Sequence, residues 1–136
     1  MDCVFCKIIE GAIPSFKVYE DEKTLAFLDI SPVNYGHTLV VPKEHYPNID
    51  EIPEDVLCAV MKTVKKIGSA LKSGLGVKGY NIMENNDPVA GQVVPHLHFH
   101  VIPRTEGDGL GLWPGGKYGD SEAEDAMNKI KKAISK

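Results

Sequence analysis

The chain has no run of apolar residues approaching the ~18 needed to cross a membrane. Its first stretch, MDCVFCKIIEGAIPSFKVYED, breaks up its hydrophobic residues with acids and lysines. Neither a membrane span nor a secretory leader is expected, and a soluble, cytoplasmic protein is. Basic residues are not in excess: fifteen Lys and Arg stand against nineteen Asp and Glu, for a formal net charge of −4. That balance offers no general field to a nucleic-acid polymer, while leaving room for a single nucleotide. Repeats, linkers and low-complexity runs are absent, so residues 1–136 read as one domain. A chain of this length buries roughly 68% of its unfolded surface, enough for a single compact core. Cysteine is scarce and odd in number, three in all. A disulfide framework is therefore not expected, and Cys3 with Cys6 forms a C-x-x-C that raises metal or redox chemistry instead.

What is present divides into recognisable elements. KVYEDE and TLAFLDI read as a hairpin with Asp21 and Glu22 near its turn, and HTLVVP as a third strand stopped by Pro42. Val56, Val60, Val64, Ile67 and Leu71 recur at helical spacing behind Pro53, and SGLG supplies a glycine stop. YNIMEN and HLHFHVI follow as two more strands, joined by the polar loop NNDPVAGQVVP. Ser121 with Glu124 suggests a capping box for an amphipathic helix running through Ile134. With a short helical turn around residues 3 to 10, the sum is an α+β fold of five strands and two longer helices.

The stretch GQVVPHLHFHVIPR holds three of the five histidines, His96, His98 and His100, at every second position. On a strand these share one face, while Leu97, Phe99 and Val101 share the other and turn to the core. A solvated face would be served as well by Thr, Lys or Glu. Two chemical readings remain: chelation of a metal by neutral imidazoles, or one imidazole as nucleophile with neighbours that set its tautomer. Gly91 just upstream lets backbone approach a ligand, and Gln92 offers an amide donor and acceptor, which suits an oxygen-rich group such as phosphate.

HLHFHVI resembles the His-φ-His-φ-His-φ-φ signature of the histidine triad (HIT) superfamily of nucleotide hydrolases and transferases. VFCKIIEGAIPSFKVYEDE, LAFLDISPVNYGHTLVVPKEH and NIMENNDPVAGQ are similar to the family's other segments in order and spacing, so that the likeness covers residues 3–104. The resemblance implies the HIT fold, a five-stranded antiparallel sheet with one long helix, a short N-terminal helix and, in the segment 105–136, a terminal helix. It also implies a two-fold homodimer joining the two sheets. It makes His98 the nucleophile that attacks the α-phosphorus of a purine nucleotide conjugate, a phosphoramidate or a dinucleoside polyphosphate, through a covalent nucleotidyl-histidine. His100 would bind the phosphate, and His37 matches a fourth histidine set against the triad. Asp29 matches an acid that binds ribose hydroxyls. Phe5, Ile8, Phe27 and Ile30 match the apolar cleft for the base, and Asn85, Gly91 and Gln92 the phosphate loop. Some family members carry a serine after that glutamine; here Val93 occupies the position and has no proton to give a leaving group.

The C-x-x-C lacks a thioredoxin-like context and supplies half of a closed zinc site. The resemblance implies a structural zinc held by Cys3, Cys6, His45 of PKEHYP and His96, since zinc-bearing members of the superfamily use such a set. Cys58 reads as a small buried hydrophobe on the long helix. Trp113 and Tyr118, in the glycine-rich tail, suggest a packed lid or a partner contact. The competing functional reading is a nucleotide-binding, zinc-stabilised interaction protein whose hydrolysis is incidental.

Overall fold

The computed structural model describes residues 2–135. A short helix α1, Val4–Ile9, opens the chain with Cys3 as its N-cap, whose sulfur accepts from the Cys6 amide at 3.4 Å. Strands β1, Lys17–Glu20, and β2, Thr24–Leu28, follow. Their tight turn is built by Asp21, whose carboxylate accepts from the amides of Lys23 and Thr24. Then come β3, Thr38–Pro42, the long helix α2, Glu54–Leu75, and the strands β4, Gly79–Glu84, and β5, Phe99–Arg104. The helix α3, Glu122–Ile134, completes the order. The five strands form one sheet ordered β1-β2-β3-β5-β4, every neighbouring pair antiparallel.

Alternation along the central strands divides the core into two layers. Ala26, Val40, Leu97, Phe99 and Val101 point to the α2 side, where Val60, Val64, Ile67 and Leu71 form the i, i+4, i+7, i+11 stripe anticipated from the sequence. Leu25, Phe27, Leu39 and Val41 point the other way, under Phe5 and Ile8 of α1. Helix α2 starts after Pro53 and stops where Gly76 adopts a left-handed conformation, φ 73°.

Four expectations require correction. The HLHFHVI strand begins only at Phe99, so His96 and His98 lie on the irregular approach to β5. The side alternation persists there, because Leu97 is still swallowed by the α2-side core. Helix α3 exists, but Ser121 sits at φ 63° and makes no side-chain cap bond; the Glu122 carboxylate accepts from the Gly119 amide in place of the capping box. Cys58 is exposed, being just off the buried stripe of α2. The tail forms no packed lid on its own chain, since Trp113 and Tyr118 are 88% and 71% exposed.

Candidate functional site

Bringing β5 between β3 and β4 places His100 opposite Leu39 on one side and Met83 on the other. The resulting cleft, about 580 Å³, opens on the α1 face of the sheet. Phe5 and Ile8 of α1, Phe27 of β2 and Leu39 of β3 give it an apolar floor and wall. Asp29, Ile30, His37, Asn85, Gly91, Val93, His98 and His100 complete its lining. Phe5 sets its ring against that of His98 at 5.0 Å and 84°, and against that of Phe27 at 5.5 Å. Ile30 and Val93 stand at the rim, 85% and 89% exposed. Gln92 is turned away from the cleft: its amide accepts from the Asp87 N–H and donates to the carbonyls of Pro47 and Val94, tying down the loop that carries Gly91. Gly91 has φ 99°, and Asn85 lies 3.6 Å from where a Cβ would project.

Backbone partners fix the tautomers of three histidines, and through one of them that of a fourth, because a carbonyl only accepts and an amide N–H only donates. The Val33 N–H donates to His37 Nδ1 at 3.0 Å, so the His37 proton is on Nε2. That Nε2–H donates to His100 Nδ1 at 2.9 Å, which puts the His100 proton on Nε2, available to the cleft. His98 Nδ1–H donates to the His96 carbonyl at 2.7 Å and leaves Nε2 with a free lone pair. His96 Nε2–H donates to the Pro42 carbonyl at 2.9 Å and leaves Nδ1 bare. Burial holds all four rings neutral: it lowers the pKa of His37 and His98 below the ordinary imidazole value, against the opposing pull of Asp29. His96 and His100 are lowered to about 4, again first by burial and then by neighbouring imidazoles.

Asp29, at the end of β2, receives the Ser31 amide on Oδ1 and places Oδ2 3.7 Å from His37 Nε2. Asp29, His37 and His100 thus form a compact group of potential ligands. His37 cannot bridge a metal there, since its Nδ1 is occupied by Val33 and its Nε2 carries the proton. No lysine or arginine lines the cleft among the described residues, and Asp29 is its only carboxylate.

A second group lies behind the triad. Cys3 and Cys6 from α1, His45 from the segment after β3, and His96 bring their donor atoms within 4.8 Å of one another. The S–N separations are 3.4 to 3.6 Å, and the two Nδ1 atoms are 3.1 Å apart. A tetrahedral zinc with bonds of about 2.3 Å to sulfur and 2.0–2.1 Å to nitrogen requires S–N edges of about 3.6 Å and N–N edges of about 3.3 Å. The donor set therefore fits such an ion in both chemistry and size. Burial, and then the adjoining Cys3, push the Cys6 thiol up to about 11. A divalent cation at the centre would reverse that cost by binding both sulfurs as thiolates.

The sequence reading did not anticipate the parts played by the Val33 amide, the Pro42 carbonyl, Leu39 and Met83. The first two are main-chain groups that leave no side-chain signal. The last two follow only from strand register.

Comparison with known proteins agrees with this architecture. Residues 10–107 match the family model described as the HIT domain. An HIT-like protein of Methanocaldococcus jannaschii is 64% identical over 107 residues, covering 79% of this chain and 82% of that protein. An adenosine 5'-monophosphoramidase of Candida albicans is 41% identical over 140 residues, covering 98% of this chain and 92% of that protein. Among solved structures, a zinc-bound histidine triad family protein from Mycobacterium smegmatis superposes with a TM-score of 0.78 at 36% identity, covering 98% of both chains. On its matched segment and its relatives, the chain belongs to the HIT domain family.

Proposed function

We propose that the chain is a nucleotide hydrolase or transferase that acts on purine nucleotide conjugates through His98. Nε2 attacks the α-phosphorus, and the bond from phosphorus to the leaving group breaks as the P–N bond to His98 forms. Water then attacks phosphorus, breaking that P–N bond and returning His98 to its neutral state. The observation that carries this reading is the unprotonated Nε2 of a cleft-lining histidine whose proton is retained on Nδ1 by a carbonyl. His100 Nε2–H is a donor to the phosphoryl oxygens, and a preorganised donor at that position is worth about 3 kcal/mol in the transition state. Phe5, Ile8, Phe27 and Ile30 hold the base, Asp29 accepts from the ribose hydroxyls, and Asn85, Gly91 and Gln92 shape the phosphate loop. With Val93 unable to protonate the leaving group, that proton comes from His98, His100 or water.

The cleft's charge supports a substrate class. Neutral imidazoles, one carboxylate and, among the described residues, no lysine or arginine can manage a single phosphoryl group far better than the several charges of a dinucleoside polyphosphate. An adenosine phosphoramidate is thus the favoured substrate, in keeping with the name of the Candida relative. Zinc is the proposed structural metal, held by Cys3, Cys6, His45 and His96. With four protein ligands it has no open position for water and takes no part in the chemistry. A homodimer in the cytoplasm completes the reading. It is supported by the exposed apolar stripe Met127, Ile130 and Ile134 of α3 and by three cysteines without disulfides.

The test is turnover of adenosine 5'-phosphoramidate against diadenosine tetraphosphate, in the wild type and in His98→Ala. Release of AMP mainly from the phosphoramidate, lost in the variant, is expected. Equal rates in the two proteins would refute the role of His98.

A further inference from the structure

We propose that Asn34 and Asp108 are positioning residues: together they latch the loop that carries His37 onto β5, the strand that carries His100, and so hold the two imidazoles in register. Neither residue lines the cleft. This rests on the role given to His100 above and extends it to two side chains outside the site.

Strands β3 and β5 are paired only at Thr38↔Val101, Leu39↔His100 and Val40↔Phe99. His37 stands one residue before the first of these pairs, so the ladder does not itself hold it to β5. Its ring nevertheless meets that of His100 at 2.9 Å. The connecting loop, residues 29–37, is closed mainly on itself. The Asp29 amide donates to the His37 carbonyl at 2.9 Å, the His37 amide to the Asn34 carbonyl at 3.0 Å, and the Val33 amide to His37 Nδ1 at 3.0 Å. Such bonds give the loop a shape but no fixed place on β5. Among the described residues, Asn34 is the only side chain of this loop, besides His37, that hydrogen-bonds outside it.

Asn34 Nδ2 donates to the Pro103 carbonyl at 2.9 Å and to Asp108 Oδ2 at 3.1 Å. Pro103 lies on β5 just beyond Val101, so the amide joins the two strands where their ladder has stopped. His37 is thereby bracketed between the Thr38–Val101 pair and this contact. Asp108 is a firm anchor, its side chain only 6% exposed. Arg104 donates to both of its oxygens, Nε at 2.8 Å and Nη2 at 3.1 Å, and the Thr105 and Leu110 amides each donate at 3.1 Å. Arg104 is braced in turn by Asn81 of β4 at 2.8 Å. The guanidinium, before those amides, holds the Asp108 carboxyl below the usual carboxylate range. Both partners of Asn34 therefore only accept, which fixes the end of its amide that faces them.

A loop released from Asn34 keeps its internal bonds, the Val33 contact included, but can lift from β5 as a body and part His37 Nε2–H from His100 Nδ1. Misplacement on the order of 1 Å costs a chemical step up to about 10²-fold. With the Thr38–Val101 pair still in place, a fall of about tenfold is expected. Asp29 directly follows β2, and the base wall belongs to α1, β2 and β3, so nucleotide affinity should be spared.

The experiment compares the full-length chain with Asn34→Ala, Asp108→Asn, His37→Ala and the Asn34→Ala, His37→Ala double variant. The readouts are kcat and KM for adenosine 5'-phosphoramidate, AMP affinity by calorimetry and a crystal structure of Asn34→Ala. Expected for Asn34→Ala are a fall in kcat of about tenfold, changes in KM and AMP affinity below about threefold, and a His37–His100 contact opened beyond hydrogen-bonding reach. Asp108→Asn, which keeps the shape of the side chain, should lower kcat in the same sense and less. In the His37→Ala background, Asn34→Ala should cost nothing further, because it acts through that ring. The same loss repeated in that background, or equal losses of rate and AMP affinity, would overturn the proposal by making Asn34 a general support for the loop. An unchanged 2.9 Å contact in the Asn34→Ala crystal would overturn it whatever the turnover. An opened contact beside undiminished turnover in His98→Ala would uphold the latch while refuting attack by His98.

Discussion

At the scale of single residues, the site is a set of tautomers written by the backbone. The Val33 amide orders His37, His37 orders His100, and the His96 carbonyl orders His98. His37→Ala removes the donor to His100 Nδ1 and frees that ring to place its proton on either nitrogen. We expect kcat for adenosine 5'-phosphoramidate to fall about 10- to 100-fold, the range seen when a supporting hydrogen-bond partner is lost. KM should change little, and steady-state kinetics check both. Rates within twofold of wild type would show that His100 needs no orienting partner. The same residues show how much of the site was legible in advance. The H-x-H-x-H spacing disclosed a shared face, and the C-x-x-C disclosed half of a candidate metal cluster. The direction of the protons on His37, His96 and His100 was hidden, because it depends on carbonyls, amides and neighbouring rings that the sequence pattern does not place.

At the scale of elements, the histidines proposed as catalytic depend on short connections. Gly36 precedes His37 with φ 94°, and a Cβ there would come within 2.4 Å of Leu75 on α2. Gly36→Ala is expected to destabilise the fold by roughly 1–3 kcal/mol, from backbone strain combined with the clash. It should also lower turnover through His37. Urea denaturation of the variant measures the first effect, and a midpoint equal to wild type would contradict it. The strands and α2 were readable because their stripes have the periods of regular structure. The approach to β5 misled because its alternation continues past the last ladder bond: Leu97 is buried with the core while His96 and His98 lie outside the strand. Ser121 and Glu124 carry the residues of a capping box, yet the left-handed backbone at Ser121 prevents it. Cys58 went astray for a similar reason, since a helix position one step from an apolar stripe can face either way.

At the scale of the whole molecule, stability is expected to depend on pH and, if the proposed zinc is bound, on metal. Chelation should lower the thermal midpoint, since an ion bound only by the folded state contributes its binding free energy to folding. A scan with and without chelator reads this, and coincident transitions would argue against a bound metal. His37 and His100 are held neutral by burial, His100 at about 4. The unfolded chain, with imidazoles near 6.5, takes up protons that the folded chain refuses, so stability falls as pH drops from about 6.5 toward 4. Urea midpoints at pH 7.5 and 5 should differ in that sense, and less so in a His37→Gln, His100→Gln double variant. The central claim is attack by His98, and its most direct measurement is mass spectrometry of enzyme quenched during turnover of adenosine 5'-phosphoramidate. An acid-labile adenylyl group on the peptide containing His98, absent from His98→Ala, is the expected result; steady turnover with no adduct on that peptide at any quench time would contradict it.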